Sequence, residues 1–343
     1  MLDREISRAL ERLGLAGRRV LVAASGGLDS TALLHLLHGQ ARRHQLVLCV
    51  GHVNHGLRGE ASDADEAAVR ALAASLGVPM RSLRADPRPR CLGGPSRARP
   101  TLQEAAREVR YEALHALAAS LGADRIATAH TADDQAETVL LRLLRGSGPD
   151  GLAGIPERSP DGVIVRPLLQ VSRRELMAHA AAHGLAWRED ASNARPDYAR
   201  NRLRLHWLPG LASEFNPQLL RALAGLAEAQ RRDTDWIEAQ VEREAASRFS
   251  EDGSWLVIDA KDWAELPEAL ARRVARAALR RCGIGREVSR VHLARTLAFL
   301  RTARSGTRLE LPAGRVLWRV RSRFRMGPLA PPAGGGLDRE SAC

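Results

Sequence analysis

Arg19-Val-Leu-Val-Ala-Ala-Ser-Gly-Gly-Leu-Asp-Ser30 constrains this chain more than any other stretch, because an apolar run stops abruptly at a glycine pair flanked by serines and an aspartate. Val20 to Ala24 reads as a buried strand, and the apolar spacing from Ser30 to Leu37 reads as a helix. Glycines at this junction let main-chain N–H groups turn toward an anion, and the following helix N-terminus adds partial positive charge. Asp29 would repel phosphate, so its place is beside a magnesium ion that neutralises the phosphates. No Gly-Lys-Ser/Thr follows, which excludes a Walker A loop.

Further strands are expected at 45–52, 78–83 and 125–129, alternating with helices at 63–76, 101–119 and 132–144. This predicts an α/β fold: a parallel sheet with helices on both faces, and ligands at the carboxyl ends of its strands. Residues 86–100, with four prolines and four arginines, read as an exposed loop. Beyond about residue 205 helical patterns dominate, with strand signal at 255–258. Two strands, 307–311 and 315–325, then form a hairpin across Pro312-Ala-Gly314. The expected division is a catalytic domain over 1–205, a mostly helical domain with a terminal basic hairpin over 206–326, and a disordered tail over 327–343. The hairpin reading puts Val316, Trp318, Val320 and Phe324 on one face and Arg315, Arg319, Arg321, Arg323 and Arg325 on the other. That face is either solvated or a nucleic-acid contact.

The net charge of +12 favours a polyanionic partner, and residues 201–343 carry 25 basic against 17 acidic side chains. Lys261 is the only lysine. Four scattered cysteines, no long apolar run and no signal-like start point to a cytoplasmic chain with free thiols and no membrane partner.

Other motifs fall where strands end. Gly51-His-Val-Asn-His-Gly-Leu-Arg58 offers His52 and Arg58 to adenine, ribose or phosphate. Arg107 shares a helical face with Arg110 and Tyr111. Thr128-Ala-His-Thr-Ala-Asp-Asp-Gln-Ala-Glu-Thr138 gathers Asp133, Asp134 and Glu137 at a helix start, suited to magnesium or to a substrate ammonium. Arg145–Gly154 is a glycine-rich loop able to close over a ligand. Asn193, Asn201 and Arg202 could close a nucleotide site or tie two domains together.

The Ser-Gly-Gly-x-Asp-Ser string resembles the PP-loop of the ATP pyrophosphatase superfamily. With the motifs at 52–58, 104–111, 128–138, 145–154, 166–169 and 187–202 in order, residues 19–205 resemble bacterial tRNA(Ile)-lysidine synthases. That resemblance implies an adenine nucleotide α hydrolase-like fold. It also implies ATP-dependent ligation of L-lysine to C2 of cytidine 34 of tRNA(Ile) with a CAU anticodon, through an adenylated tRNA. By carry-over, the backbone of Ser25, Gly26, Gly27, Leu28, Asp29 and Ser30 holds pyrophosphate, Asp29 binds Mg2+, and His52 and Arg58 lie near ATP. Arg107 and Arg110 meet phosphates or the lysine carboxylate, while Asp133, Asp134 and Glu137 receive its ammonium, one carboxylate accepting a proton. Arg200, Arg202, Arg319, Arg321 and Arg323 fall to tRNA, and a homodimer stays open. The rivals are a PP-loop tRNA thiolase, which ordinarily needs paired cysteines, and a non-catalytic RNA-binding protein, which would leave the glycine loop without a purpose.

Overall fold

The computed structural model describes residues 2–92, 99–188, 199–284 and 288–329. Asn193, part of the 86–100 loop and all but the first three residues of the expected tail lie outside them. The chain forms two compact units, 1–231 and 232–343, divided within one long helix.

In the first unit the order is α1 (Leu2–Arg12), β1 (Arg19–Ala23), α2 (Leu28–His44), β2 (Val47–Asn54), α3 (Glu60–Ser75), β3 (Met80–Arg84), α4 (Leu102–Ser120), β4 (Arg125–Ala127), α5 (Ala132–Leu144), α6 (Pro149–Leu152), β5 (Ile164–Val165), α7 (Arg173–Ala182), α8 (Ala199–Arg202) and α9 (Leu208–Glu214). Its sheet runs β3-β2-β1-β4-β5, all parallel. Strand alternation splits the apolar side chains: Val20, Val22, Leu48 and Val50 pack with α1, α2, α3 and α7. Leu21, Cys49 and Ile126 pack with α4 on the other face. Strand order reverses between β1 and β4, and that is where a doubly wound sheet opens a crevice. The expected capping box at Thr101 and Glu104 starts α4, and equivalent boxes at Thr131 and Ser172 start α5 and α7.

The helix α10 (Leu219–Arg248) crosses into the second unit, which continues with β6 (Phe249–Asp252), β7 (Trp255–Asp259), α11 (Glu268–Arg281), α12 (Arg290–Thr302), β8 (Arg308–Leu311), β9 (Arg315–Val320) and β10 (Arg323–Pro328). The expected hairpin is one part of a five-stranded antiparallel sheet, β6-β7-β10-β9-β8. Arg321, at φ 52°, turns the chain, so the single strand expected over 315–325 is two. Gly327 and Pro328, expected in the tail, pair with Val316 and Arg315.

That turn also corrects the expected faces. Leu317, Phe324 and Met326 join Leu256, Ile258 and Trp263 in the core. Arg319 pairs with Phe324 across the strands and lays its guanidinium over that ring, 4.6 Å from its centroid. Trp318, Arg323 and Arg325 share the opposite face, where Arg325 meets Asp252 at 2.6 Å and Trp255 stands over Gly327. A β-carbon on Gly327 would lie 2.7 Å from that indole, so only glycine fits.

Helices α2 and α7 meet through histidines: His35 Nδ1 lies 3.0 Å from His179 Nε2, and His183 stacks at 4.2 Å from His179. Burial first, then the neighbouring His183, lowers the pKa of both His35 and His179; His38 opposes charge on His35, and Asp3 of α1 favours it on both. The unfolded chain therefore takes up protons at a higher pH than the folded one, and stability falls as pH drops below about 6.5. Urea denaturation at pH 7.5 and 5.5 should show this loss, and substituting His35 and His179 by glutamine should reduce it.

Candidate active site

The loop after β1 is held by its own serines. Ser30 Oγ accepts from the Ser25 N–H at 3.1 Å and donates to the Gly27 carbonyl at 3.0 Å. Gly26 sits at φ +88°, where a β-carbon would press on the Asp65 carbonyl at 3.3 Å, so both its conformation and its surroundings require glycine. Helix α2 then begins after Gly27 without a side-chain cap, and its first N–H groups face the crevice mouth.

Asp29 lies in the first turn of α2. One carboxylate oxygen, Oδ2, meets Arg173 Nη1 at 3.3 Å; the other is buried with no hydrogen-bond partner. Burial pushes its pKa up to about 6, with Arg173 opposing and Asp134 and Asp133 adding to the rise. A buried carboxylate oxygen with nothing to accept from is what a divalent cation satisfies. Among the described residues no three His, Cys, Asp or Glu groups form a cage for a metal, but magnesium commonly takes one or two carboxylates and completes its shell with substrate phosphates and water. The residues fit such an ion.

The motif at 52–58 braces the loop. His52 is buried, with Nδ1 2.9 Å from the Ala24 carbonyl, and Asn54 donates to Asp63 and Glu66. Arg58 is paired with the buried Asp65 at 2.6 Å, and Arg188 reaches the other Asp65 oxygen at 2.5 Å while its N–H bonds the Gly26 carbonyl. Arg58 is thus tied beside the loop through Asp65.

Across the crevice, α5 carries the three expected carboxylates, and the structure separates them. Asp133 Oδ2 accepts from the Arg173 N–H at 2.8 Å. Asp134 caps its own helix and meets Arg200 at 3.0 Å. Glu137, with its side chain 1% exposed, is gripped by Arg200 Nε at 2.6 Å and Arg204 Nε at 2.5 Å. Arg200 and Arg204 thus offset the charge of Glu137 and Asp134, the carboxylates expected to meet a substrate ammonium, and Arg200, expected at tRNA, is one of the two. Arg202 follows Arg200 on α8.

A second charged cluster surrounds Tyr111. Arg107 and Arg110 lie 5.1 and 5.3 Å from its ring centroid. Burial raises the tyrosine's pKa, but Arg107, Arg110 and Arg166 outweigh that and lower it. The buried hydroxyl has no hydrogen-bond partner of good geometry. Next to it His130 is driven down to about 3 by burial, with Asp134 opposing and Arg166, Arg110 and Arg107 reinforcing the shift, and is therefore neutral. Arg166, almost fully buried, donates to the Pro156 carbonyl, while Arg142 and Arg231 donate to carbonyls of Gly151, Ala153 and Gly154. The glycine-rich loop is thereby fastened to the anion-receptive side of the site.

Sequence reasoning missed Arg173, Asp65, Arg188 and Arg204 as organising residues. Arg173 follows a Ser172–Glu175 capping signature, but its two carboxylate partners lie 144 and 40 residues away.

The chain matches the PP-loop domain over residues 2–211 and the TilS substrate binding domain over 259–324. The chain belongs to the tRNA(Ile)-lysidine synthase family. It is 42% identical to the tRNA(Ile)-lysidine synthase of Symbiobacterium thermophilum over 334 residues, covering 94% of this chain and 68% of that one. It is 44% identical to the lysidine synthase of Methylobacterium nodulans over 283 residues, 80% and 78% of the two chains. Against that of Thermus thermophilus the identity is 42% over 298 residues, 86% of this chain and 54% of the relative. The chain thus spans between about half and four fifths of these family members' lengths. A U34-tRNA thiolase, NcsA from Methanococcus maripaludis, shares the fold: TM-score 0.54 at 18% identity, over 67% of this chain and 78% of that one.

Replacing Glu137 by glutamine removes the buried carboxylate that Arg200 and Arg204 share and leaves them with Asp134. With both arginines partly solvated and Asp134 still beside them, the expected cost is about 2 kcal/mol, between that of an exposed pair and that of a fully broken buried one. Denaturant titration of Glu137→Gln against the parent chain measures it.

Proposed function

We propose that this family member joins L-lysine to C2 of the wobble cytidine of tRNA(Ile) with a CAU anticodon, using ATP and Mg2+. The observation that carries this reading is the uncapped α2 N-terminus at the switch point, with the buried, unpartnered Asp29 oxygen in its first turn. Phosphate fits the first and a phosphate-bound cation the second.

In this reading the cytidine C2 oxygen attacks the α-phosphate of ATP and pyrophosphate leaves against the N–H groups of Ser25–Ser30. The lysine ε-amine then attacks C2, loses a proton, and AMP departs with the oxygen. Asp29 would hold Mg2+, whose charge offsets that of the phosphates. Arg107 and Arg110, presented by Tyr111 and backed by Arg166, receive the lysine carboxylate or a phosphate. With Asp134 and Glu137 already matched by arginines, Asp133 is the acidic group left to face the ammonium and accept its proton.

On the tRNA side, Arg321 at its turn and Arg323 on the sheet's outer face are exposed, whereas Arg319 is engaged with Phe324. Tight coupling to sulfur is disfavoured by the thiols: burial pushes Cys49 and Cys282 up to about 11, and no cysteine pair occurs among the described residues. No described helix is long and apolar enough to cross a membrane.

Incubating the chain with labelled lysine, ATP and tRNA should place label in tRNA with one AMP formed per lysine; AMP-free binding, or dependence on a sulfur donor, would overturn the reading. Asp133→Ala should raise the lysine KM at least tenfold while ATP binding, read by calorimetry, stays close to that of the parent.

A further inference from the structure

The segment that carries Arg200 and Arg204 is a helix with a defect. Between α8 and α9, Leu203–Trp207 forms a widened π-helical turn. Pro209 explains it: proline has no N–H to give the Leu205 carbonyl, and its ring would collide there in a regular helix. Such turns are rare and concentrate where a side chain must be presented. Here the turn ends on Trp207, which is 63% exposed.

Trp207 lines two grooves. One, of about 420 Å3, is walled by Leu140, Leu141 and Leu144 of α5 and by Leu203 and Leu211, with Arg202 at its edge. The other, of about 390 Å3, is bounded by His206, Gly210, Leu211 and Glu214. An indole shared by two open grooves offers a planar surface to a flat ring. Arg200 and Arg204 are offset by Asp134 and Glu137, so the preference for an anionic partner rests on the chain's net charge of +12 and on the tRNA substrate of the reading above. Flat rings on a polyanionic strand are the chemistry of single-stranded RNA, which binds by stacking on aromatic side chains beside basic groups. A second copy is a poorer match, because two chains of net charge +12 repel one another.

We infer that Trp207 is a stacking blade for a base of the single-stranded loop that delivers its neighbour to the active site. This rests on the lysidine synthase reading and extends it to a specificity-bearing contact. The spacing supports it: Leu140 to Leu144 lie seven to eleven residues along α5 from Asp133, about 10–16 Å at the helical rise. Arg200 and Arg204 fix the blade's helix to the same Glu137 that sits one turn from Asp133.

The test uses the full chain, Trp207→Ala and Trp207→Phe, with an RNA hairpin corresponding to the anticodon stem and loop and carrying 2-aminopurine beside the wobble cytidine. Trp207→Ala should weaken RNA binding about tenfold and relieve the fluorophore's quenching, Trp207→Phe should retain most of both, and ATP affinity by calorimetry should not change. Unaltered RNA affinity and quenching in Trp207→Ala would overturn the inference. So would sedimentation showing that Trp207→Ala dissociates a dimer with RNA affinity intact, which would make the grooves a contact between copies. Failure of the parent chain to bind this RNA at all would instead overturn the lysidine synthase reading itself.

Discussion

Everything at the crevice mouth depends on Arg173. Its side chain meets Asp29 of α2 and its main-chain N–H meets Asp133 of α5, so the starts of three helices are tied together at the place where strand order reverses. Three helix N-termini aimed at one point concentrate positive potential there. The result is a site attractive to phosphate that still has one carboxylate oxygen, on Asp29, unmatched by any protein donor.

Charge is partitioned across the crevice by pairing. Asp65 takes Arg58 and Arg188; Glu137 and Asp134 take Arg200 and Arg204. These pairs are half-buried, and their value lies in fixing geometry more than in net stability. Arg107, Arg110 and Arg166 are different, because they converge on Tyr111 and a neutral His130, and among the described residues no carboxylate is bonded to them. An anion entering there meets positive charge not already offset.

The sheet, its helices and the glycine loop were legible because they rest on local signals: an apolar run, a glycine pair and capping boxes at Thr101 and Thr131. The pairing of Asp134 and Glu137 with Arg200 was not legible. A carboxylate at a helix start reads the same whether its partner is a substrate or an arginine 63 residues later. The faces of the terminal sheet failed for a different reason. Alternation from Arg315 to Arg325 looks unbroken in sequence, yet a left-handed residue at Arg321 restarts the count and puts Phe324 and Trp318 on opposite faces.

The two arginines on Glu137 also make the outer segment and the acidic helix one mechanical piece. Moving α8 and the widened turn away from α5 would strand a carboxylate that is 1% exposed, so the segment is held far more firmly than its short helices would be alone. Trp207 projects from that fixed piece into solvent, where an indole gains nothing from the fold itself. A large apolar side chain rigidly presented and left open costs solubility without adding stability. Its placement therefore makes physical sense through what covers it, and a flat base on a polyanionic strand suits a chain of net charge +12.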